Sequence, residues 1–383
     1  MRAYVFPGQG SQHVGMGAGL FEEFPELTRQ ANDILGYSIE ALCLEDPDGR
    51  LGNTRYTQPA LFSVNALSLR ARLKSDPSAP AYYAGHSLGE YNALEAAGVI
   101  SFADALRIVQ RRGEIMAESS EGAMAAVVGL SHEAVSEVIA RAGADQVDLA
   151  NHNSPTQIVI SGPRQALERV QPPLEEAGAM FIPLNVSGAF HSRLMQPAER
   201  SFSGFLEQFS FATPRVPVIS NVTARPYQAQ ELPLNLARQV SSPVRWVDSI
   251  CYLFDQGVEE FVEIGPKDVL TKLIASIRRT HVGRKAPGPV PSISEAPPVV
   301  PPPREAAMEN RNVEMSARER VEQWNRHHMV GARVKVKGYP EILRTRTHAQ
   351  LLFGHRAAIY LQGYNGYFAL EDVQHVETTA GQV

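Results

Sequence analysis

The sequence has few cysteines, no long apolar run and no metal-ligand cluster. Cys43 and Cys251 are the only cysteines among 383 residues, which is too few for a disulfide framework and suits a reducing cytoplasm. No stretch approaches the ~20 apolar residues of a membrane span, and the apolar run in the N-terminal segment MRAYVFPGQG is too short for a signal peptide. We therefore expect a cytoplasmic protein with neither a membrane partner nor a bound metal.

Charge and proline are unevenly distributed along the chain. Residues 284–383 contain 13 Lys and Arg against 10 Asp and Glu, whereas residues 1–283 contain 23 against 31. Residues 284–307 are rich in proline and have no hydrophobic period, which is typical of an extended linker. The sequence thus predicts a folded region at 1–283, a linker at 284–307 and a second region at 308–383.

A serine lies between two glycines in the segment AYYAGHSLGEYNAL (81–94). The spacing from Gly85 to Gly89 fits G-x-S-x-G, in which a strand ends, the serine occupies a strained corner and a helix follows at once. Glycines are needed on both sides because a Cβ would clash with the neighbouring strand and helix. The pattern also fits an ordinary glycine-rich turn, so Ser87 is at this point only a candidate nucleophile.

Hydrophobic periodicity places this serine in an α/β region with an insertion. Between 122 and 191 the predicted order is strand, helix, strand, strand, helix, strand, which is that of a ferredoxin-like unit. It interrupts a larger subdomain formed by 1–121 and 192–283, whose strands include RAYVF, VPVISNV (216–222) and VEEFVEIG (258–265). Ser101 opens a helix of this larger subdomain with a capping-box spacing, SFAD, after the helix that follows Ser87.

One arginine occupies the apolar face of that helix. At 100° per residue, Arg112 lies in the middle of the stripe that should face the core, whereas Arg107 points to the opposite face. A structural interpretation is an arginine that snorkels to solvent or pairs with a buried carboxylate. The functional interpretation is an anion site, because a buried guanidinium without a partner is costly and its planar fork suits a carboxylate.

A serine nucleophile needs a base, and the chain contains 11 histidines. His86 adjoins the serine, but neighbours around an elbow point apart. His191, in LNVSGAFHSRLM, follows an apolar strand at the border of the inserted unit, where a cleft is expected. By itself a histidine at such a place is more often structural, so the local pattern leaves its role open.

Six segments together resemble the malonyl-CoA:acyl carrier protein transacylases, and in particular the discrete, trans-acting acyltransferases of polyketide synthases. They are VFPGQGSQ (5–12), AGHSLGEYNALEAAGVI (84–100), RRGEIM (111–116), NHNSPTQIVISG (151–162), GAFHS (188–192) and RQVSSPVRW (238–246). The resemblance covers residues 1 to about 280. It implies an α/β fold with an α/β-hydrolase-like large subdomain and a ferredoxin-like small one.

The resemblance also implies roles for individual positions. Ser87 matches the acylated nucleophile and His191 its base, while the backbone carbonyl of Gln239 would hold the imidazole. The backbone N–H groups of Gln9 and Leu88 would form the oxyanion hole.

Two further positions concern the substrate. Arg112 matches the arginine that binds the free carboxylate of a malonyl group. In this family a phenylalanine directly before the histidine, as Phe190 here, goes with malonyl rather than methylmalonyl.

The implied reaction moves a malonyl group from malonyl-CoA, through a serine ester, to the phosphopantetheine thiol of an acyl carrier protein domain of a polyketide synthase, in trans. The resemblance implies no bound cofactor, and FPGQGSQ lacks the Gly-Lys-Ser/Thr ending of a phosphate-binding loop. Three alternatives remain open: a proofreading acyl hydrolase, whose relatives usually lack the arginine; a malonyl transacylase of fatty-acid synthesis; and a docking protein with a decayed active site.

The C-terminal region predicts a separate small module. ARVKVKG alternates basic and apolar residues as a half-buried strand does, and Asn365-Gly366 between two β-rich runs is a strong hairpin signal. We expect a helix near SARERVEQWNRHH followed by a small SH3-like β-barrel. Residues 331–360 hold six Lys and Arg against one Glu, so the module could recruit an acidic carrier protein or synthase. A solvated barrel without catalytic consequence is the alternative, and nucleic-acid binding is disfavoured because stacking aromatics are missing among the charges.

Overall fold

The computed structural model describes residues 1–119, 122–281, 317–329, 332–337, 342–345, 348–352, 356–361, 367–370 and 373–375. The chain divides into two compact units, Met1–Ser292 and Ile293–Val383. The predicted linker at 284–307 and the predicted Asn365-Gly366 turn lie outside the described residues.

The described helices are α1 (Leu20–Glu23), α2 (Pro25–Leu35), α3 (Ile39–Leu44), α4 (Thr54–Ser75), α5 (Gly89–Ala96), α6 (Phe102–Glu118), α7 (His132–Arg141), α8 (Arg164–Glu176), α9 (Gln196–Leu206), α10 (Leu232–Gln239), α11 (Trp246–Asp255), α12 (Val269–His281) and α13 (Ala317–His327). The described strands are β1 (Arg2–Phe6), β2 (Tyr82–Gly85), β3 (Ala123–Val128), β4 (Asp148–Ser154), β5 (Gln157–Gly162), β6 (Met180–Pro183), β7 (Val218–Ile219), β8 (Glu260–Glu263), β9 (Arg333–Val336), β10 (Ile342–Arg344), β11 (Gln350–Leu352), β12 (Arg356–Tyr360), β13 (Tyr367–Ala369) and β14 (Val373–His375).

A four-stranded parallel sheet forms the centre of the first unit. Its order is β7-β2-β1-β8, and helices cover both faces, so β1 is almost entirely buried, as expected for a parallel sheet. The register pairs Phe6 with Gly85. The loops that leave β1 and β2 at their carboxyl ends therefore run side by side, which is where α/β sheets bind ligands. The α/β fold predicted from the sequence is confirmed.

A second, antiparallel sheet of the first unit has the order β4-β5-β3-β6. Its side chains alternate between two cores, as the two-residue period of a strand requires. Ala125 and Val127 face a core closed by α7 and α8. Met124 and Ala126 face the other way and line a cavity together with residues of the loops that follow β1 and β2.

The second helix after Ser87, α6, begins where its capping serine predicts, and the helix before it, α5, ends shortly before a glycine. The side-chain oxygen of Ser101 accepts a hydrogen bond from the Asp104 N–H at 3.1 Å, which caps α6. Gly98, with φ of 74°, follows the end of α5 in the left-handed conformation that glycine adopts at helix ends. Along α6 the buried residues form one stripe, and Arg112 belongs to it.

The second unit contains α13 and two antiparallel sheets of three strands, β10-β9-β14 and β11-β12-β13. Val334, Val336 and Ile359 belong to its apolar core, against which Trp324 of α13 packs. Arg333 and Lys335 alternate with the buried valines of β9, which agrees with the half-buried strand predicted for ARVKVKG. Within the described ranges of both units, no helix has the length and apolar character needed to cross a bilayer.

Candidate active site

Ser87 lies in the corner between β2 and α5. Its φ of 51° is in the left-handed region, which costs a residue with a Cβ roughly 1–2 kcal/mol. A Cβ built on Gly85 would overlap the backbone of Gly89, and one built on Gly89 would overlap the carbonyl oxygen of Phe6. Both glycines are therefore required for β1, β2 and α5 to approach each other closely enough to hold Ser87 in this conformation.

Ser87 and His191 are hydrogen-bonded across the cleft. Ser87 Oγ lies 2.8 Å from His191 Nε2, and His191 Nδ1 lies 2.8 Å from the Gln239 carbonyl oxygen and 3.2 Å from that of Ser242. Carbonyl oxygens only accept, so the ring proton belongs on Nδ1 and the lone pair on Nε2. The imidazole is thus oriented to accept the Ser87 proton.

Burial keeps this imidazole neutral. His191 is almost fully buried; burial, and then the nearby positive charge of Arg112, lower the pKa of His191 to about 3. At neutral pH the ring is therefore an unprotonated base. Like Ser87, His191 has a positive φ, of 57°, and its backbone N–H is anchored to the Val240 carbonyl oxygen at 3.1 Å.

Arg112 points into the same cleft and is only 1% exposed. Its guanidinium donates to Gln58 Oε1 at 2.7 Å, to Gln239 Oε1 at 2.8 Å and to Ser87 Oγ at 3.1 Å. Among the described residues no carboxylate forms a salt bridge with it, and its Nε has no hydrogen-bond partner. Neither snorkelling nor direct pairing with a carboxylate describes this arginine. Burial lowers the pKa of Arg112. The guanidinium is held beside Ser87 by hydrogen bonds to neutral partners.

A cavity of about 250 Å³ joins these groups. Six of the seven residues singled out from the sequence line it, namely Gln9, Ser87, Leu88, Arg112, Phe190 and His191. The seventh, Gln239, contacts His191 and Arg112 from outside the cavity lining. The sequence-predicted set is therefore brought together at one place.

The loop after β1 passes close to the start of α5. A Cβ built on Gly8 would overlap the His86 carbonyl oxygen and would lie 3.6 Å from the Leu88 nitrogen. Among the described residues, the backbone N–H groups of Gln9 and Leu88 have no protein acceptor. The residue after an elbow nucleophile and a second loop commonly supply such donors for an oxyanion.

Two polar residues that sequence reasoning did not assign also hold the corner. Asn221 Oδ1 accepts the Ser87 N–H at 2.7 Å, and Asn221 Nδ2 donates to the Gly85 carbonyl oxygen at 2.7 Å. Glu90, on the first turn of α5, is fully buried and accepts the Asn221 N–H at 3.0 Å. Neither residue carries a local sequence signature, because the place of each in the site depends on contacts with residues far away in the chain.

No cluster of three or more His, Cys, Asp or Glu suited to a metal ion occurs in the described part of the chain. The arrangement instead combines a hydroxyl, a neutral imidazole oriented toward it, two unbonded N–H groups and a buried cation. Chemically, this set can form and break an ester at Ser87 and can hold an anionic substituent beside it.

Residues 3–290 match the acyl transferase domain family, and the chain belongs to that family. The polyketide biosynthesis malonyl CoA-acyl carrier protein transacylase PksC of Bacillus subtilis is 50% identical over 281 residues, which are 73% of this chain and 98% of that protein. The polyketide biosynthesis protein ThaF of Burkholderia thailandensis is 50% identical over 311 residues, which are 80% of this chain but 27% of that protein.

Among solved structures, a malonyl-transacylase in complex with a type II polyketide synthase acyl-carrier protein is 40% identical, with a TM-score of 0.70 over 73% of this chain and 93% of that chain. The family resemblance noted in the sequence is thereby confirmed.

Proposed function

We propose that this acyltransferase moves a malonyl group from malonyl-CoA to the phosphopantetheine thiol of acyl carrier proteins, in trans to a polyketide synthase. The observation that carries the proposal is the buried, carboxylate-free guanidinium of Arg112, 3.1 Å from Ser87 Oγ. PksC and ThaF, both described as polyketide biosynthesis proteins, support the context.

The first half-reaction makes a serine ester. The free carboxylate of malonyl-CoA binds Arg112, and Ser87 Oγ attacks the thioester carbonyl carbon while its proton passes to His191 Nε2. The carbonyl oxygen becomes an oxyanion between the N–H groups of Gln9 and Leu88; one such donor is worth roughly 3–4 kcal/mol in comparable sites. Collapse breaks the C–S bond, and the proton on His191 goes to the departing CoA sulfur.

The second half-reaction reverses these steps with a different thiol. The phosphopantetheine thiol of the carrier gives its proton to His191 Nε2 and attacks the malonyl ester carbonyl. The Ser87–carbonyl bond breaks, and Ser87 Oγ recovers the proton. Ordered loss of CoA before entry of the carrier gives ping-pong kinetics. The N-terminal end of α5 adds a positive potential that favours both oxyanions.

Two residues determine which acyl group is accepted. Arg112 favours a substrate with a free carboxylate over acetyl, because bound acetyl would leave the buried charge of Arg112 without an anion. Phe190 is nearly buried in the cavity wall and leaves little space for an α-methyl group, which favours malonyl over methylmalonyl. One methyl group is worth only about 1–3 kcal/mol in such a pocket.

The finer architecture is part of the same proposal. The region 1–283 is an acyltransferase domain, with an α/β-hydrolase-like large subdomain (1–121 and 192–283) and a ferredoxin-like small subdomain (122–191). A proline-rich linker (284–307) and a helix with an SH3-like barrel (308–383) follow. The reaction needs no bound cofactor, since phosphopantetheine arrives on the carrier, and the two cysteines favour a cytoplasmic setting.

Intact-mass analysis after incubation with mixed acyl-CoAs tests the activity. The wild type is expected to gain one malonyl mass, and Ser87→Ala none. Ser63→Ala is the matched control, because Ser63 is also a buried serine but lies outside the cavity lining. An adduct that persists in Ser87→Ala, or that maps to another residue, would refute the assignment of the nucleophile.

A further inference from the structure

A buried carboxylate lies behind the site and is not used in the reaction above. Glu90 Oε1 accepts from the Tyr227 hydroxyl at 2.5 Å and from the Asn221 N–H at 3.0 Å. Glu90 Oε2 accepts a hydrogen bond from Gln239 Nε2. Each of two partners, Asn221 and Gln239, also holds Ser87.

The side-chain amide of Gln239 connects Glu90 to the two central groups of the site. Its Nε2 donates to Glu90 and, at 2.8 Å, to the Ser87 carbonyl oxygen. Its Oε1 accepts from Arg112 at 2.8 Å. The amide has two donors on nitrogen and an acceptor on oxygen, so these contacts fit only one of its two orientations.

The charge state of Glu90 selects that orientation. An ionised carboxylate only accepts hydrogen bonds, so it requires Nε2 toward itself and leaves Oε1 for Arg112. A protonated carboxyl can donate to Oε1 instead. The amide would then turn its nitrogen toward Arg112, where two donors would face each other. Arg112 would lose one of its three acceptors, and the Ser87 carbonyl oxygen would lose the Gln239 donor.

We propose that Glu90 is a positioning residue, whose ionised carboxylate fixes the Gln239 amide and the Asn221 backbone and so holds Ser87 and Arg112 in the arrangement that malonyl transfer requires. The inference rests on the proposed function for its substrate. Glu90 acts through Gln239 and Asn221 rather than by contact with the reacting atoms.

The same burial makes this device sensitive to pH. Burial raises the pKa of Glu90 to about 7, against the opposing effects of the hydrogen bonds from Tyr227 and Gln239 and of the Arg112 charge. The other titratable groups nearby are Tyr91, whose ring lies under Arg112, and His191, beyond Gln239. Glu90 loses its charge as the pH falls through about 7, far above the pKa of about 3 that burial gives His191. Activity should therefore have an acid limb near neutrality that does not belong to the base.

The test compares Glu90→Gln, Tyr227→Phe and the control Glu95→Gln in the full-length protein. Glu95 is on the same helix and pairs with Arg70 at 2.6 Å, outside the cavity lining. Two readouts are followed from pH 5 to 9: kcat/KM for Ser87 acylation by malonyl-CoA and by acetyl-CoA, and the rate of Ser87 labelling by a fluorophosphonate.

In the wild type and Glu95→Gln we expect a one-proton acid limb near pH 7 in both readouts. Glu90→Gln should abolish the limb and, at pH 8, lower malonyl kcat/KM at least 10-fold, with a smaller loss for acetyl. Tyr227→Phe removes a donor from the carboxylate, so its limb should move to higher pH. This variant retains Glu90 and tests the idea even if Glu90→Gln folds poorly.

An acid limb that is unchanged in Glu90→Gln, or unmoved in Tyr227→Phe, would overturn the proposal. Equal losses of malonyl and acetyl transfer in Glu90→Gln would also overturn it, because the amide orientation would then not bear on Arg112. If the wild type takes up no malonyl group, the proposed function fails, while the fluorophosphonate profile still decides the role of Glu90.

Discussion

Replacing Arg112 by alanine is expected to reverse the preference for malonyl over acetyl. The guanidinium is buried and has donors directed at Ser87 and at two neutral amides. On binding, a malonyl carboxylate would accept from these donors, and acetyl would not. Ser87, His191 and the N–H groups proposed as oxyanion donors remain in Arg112→Ala, so the change mainly removes the contribution that is specific to an anionic substrate.

The size of the effect follows from the contacts. A net hydrogen bond to a charged group is worth about 1.5–3 kcal/mol, so two such bonds contribute about 3–6 kcal/mol. At about 1.4 kcal/mol per factor of ten, malonyl kcat/KM should fall by roughly 10²- to 10⁴-fold. Acetyl transfer should be retained or should rise, because its binding no longer buries an uncompensated cation.

The assay measures kcat/KM for Ser87 acylation with malonyl-CoA and acetyl-CoA separately, together with the Tm of each variant. Arg107→Ala is the control, because Arg107 is on the exposed face of the same helix and pairs with Asp104 at 3.0 Å. It should change neither rate. Equal losses for malonyl and acetyl, or a collapse of the Tm in Arg112→Ala, would mean that the arginine supports the fold rather than the substrate.

Four further changes have defined outcomes. Burial gives His191 a pKa of about 3, below the roughly 6.5 of the unfolded state, so between these values the unfolded state binds one more proton. The free energy of unfolding should therefore fall on acidification, by at most about 1.4 kcal/mol per pH unit from this group. Chemical denaturation from pH 7 to 4 should show a smaller fall in His191→Gln, and an identical fall would contradict the assignment. Gly85→Ala should unfold or inactivate the protein because its Cβ meets the Gly89 backbone. Gly204→Ala, at an exposed helix position where no atom lies within 4 Å of the added Cβ, should instead stabilise the protein by about 0.5–1 kcal/mol in the same denaturation assay. Similar stabilities for the two variants would refute the steric argument. Phe190→Ser should raise methylmalonyl relative to malonyl kcat/KM by about 10-fold in competition assays, and an unchanged ratio would remove Phe190 from selectivity. A chain ending at residue 283 should acylate Ser87 normally but transfer more weakly to its carrier, with the difference shrinking at high salt, if the basic segment 331–360 recruits that carrier. Unchanged carrier kinetics at low salt would exclude this role.

Several regular elements of the first unit could be predicted because each is encoded locally. The buried run RAYVF, the capping serine at 101 and the glycine at 98 each determine a boundary by a short-range physical rule. Strand ends were less predictable. The apolar residues of FIPLNV (181–186) favour a strand as far as Val186, but β6 ends at Pro183. The Leu184 N–H still donates to the Met124 carbonyl oxygen at 2.9 Å, and the Val186 N–H then turns to the Leu184 carbonyl oxygen at 3.0 Å, which ends the ladder.

Within the candidate site, only Ser87 and Arg112 carry a local signature, and the other predicted residues could be placed only through the family resemblance. Ser87 lies between two glycines with the G-x-S-x-G spacing, and Arg112 is a charged residue on the apolar face of α6. Asn221 and Glu90 have no such signature, because their roles depend on contacts across the chain: Asn221 reaches Ser87 over 134 residues of separation. Asn221 follows the short strand β7 and looks like any loop residue in the sequence. Only the order of the strands in the sheet places it beside Ser87.

On the proposed function, both half-reactions use one small cavity, and this has a consequence for the direction of the reaction. About 250 Å³ is below the roughly 300–1,000 Å³ of pockets that enclose a drug-sized ligand, so the acyl head can enter while the nucleotide of CoA or the body of a carrier stays outside. On the proposed function, the reacting groups then meet the same atoms whichever thiol delivers them. One thioester is exchanged for another at nearly equal free energy. The enzyme would therefore bring malonyl-CoA and the malonyl carrier to equilibrium without driving transfer in either direction. Net flux would follow from whichever later condensation consumes the malonyl carrier.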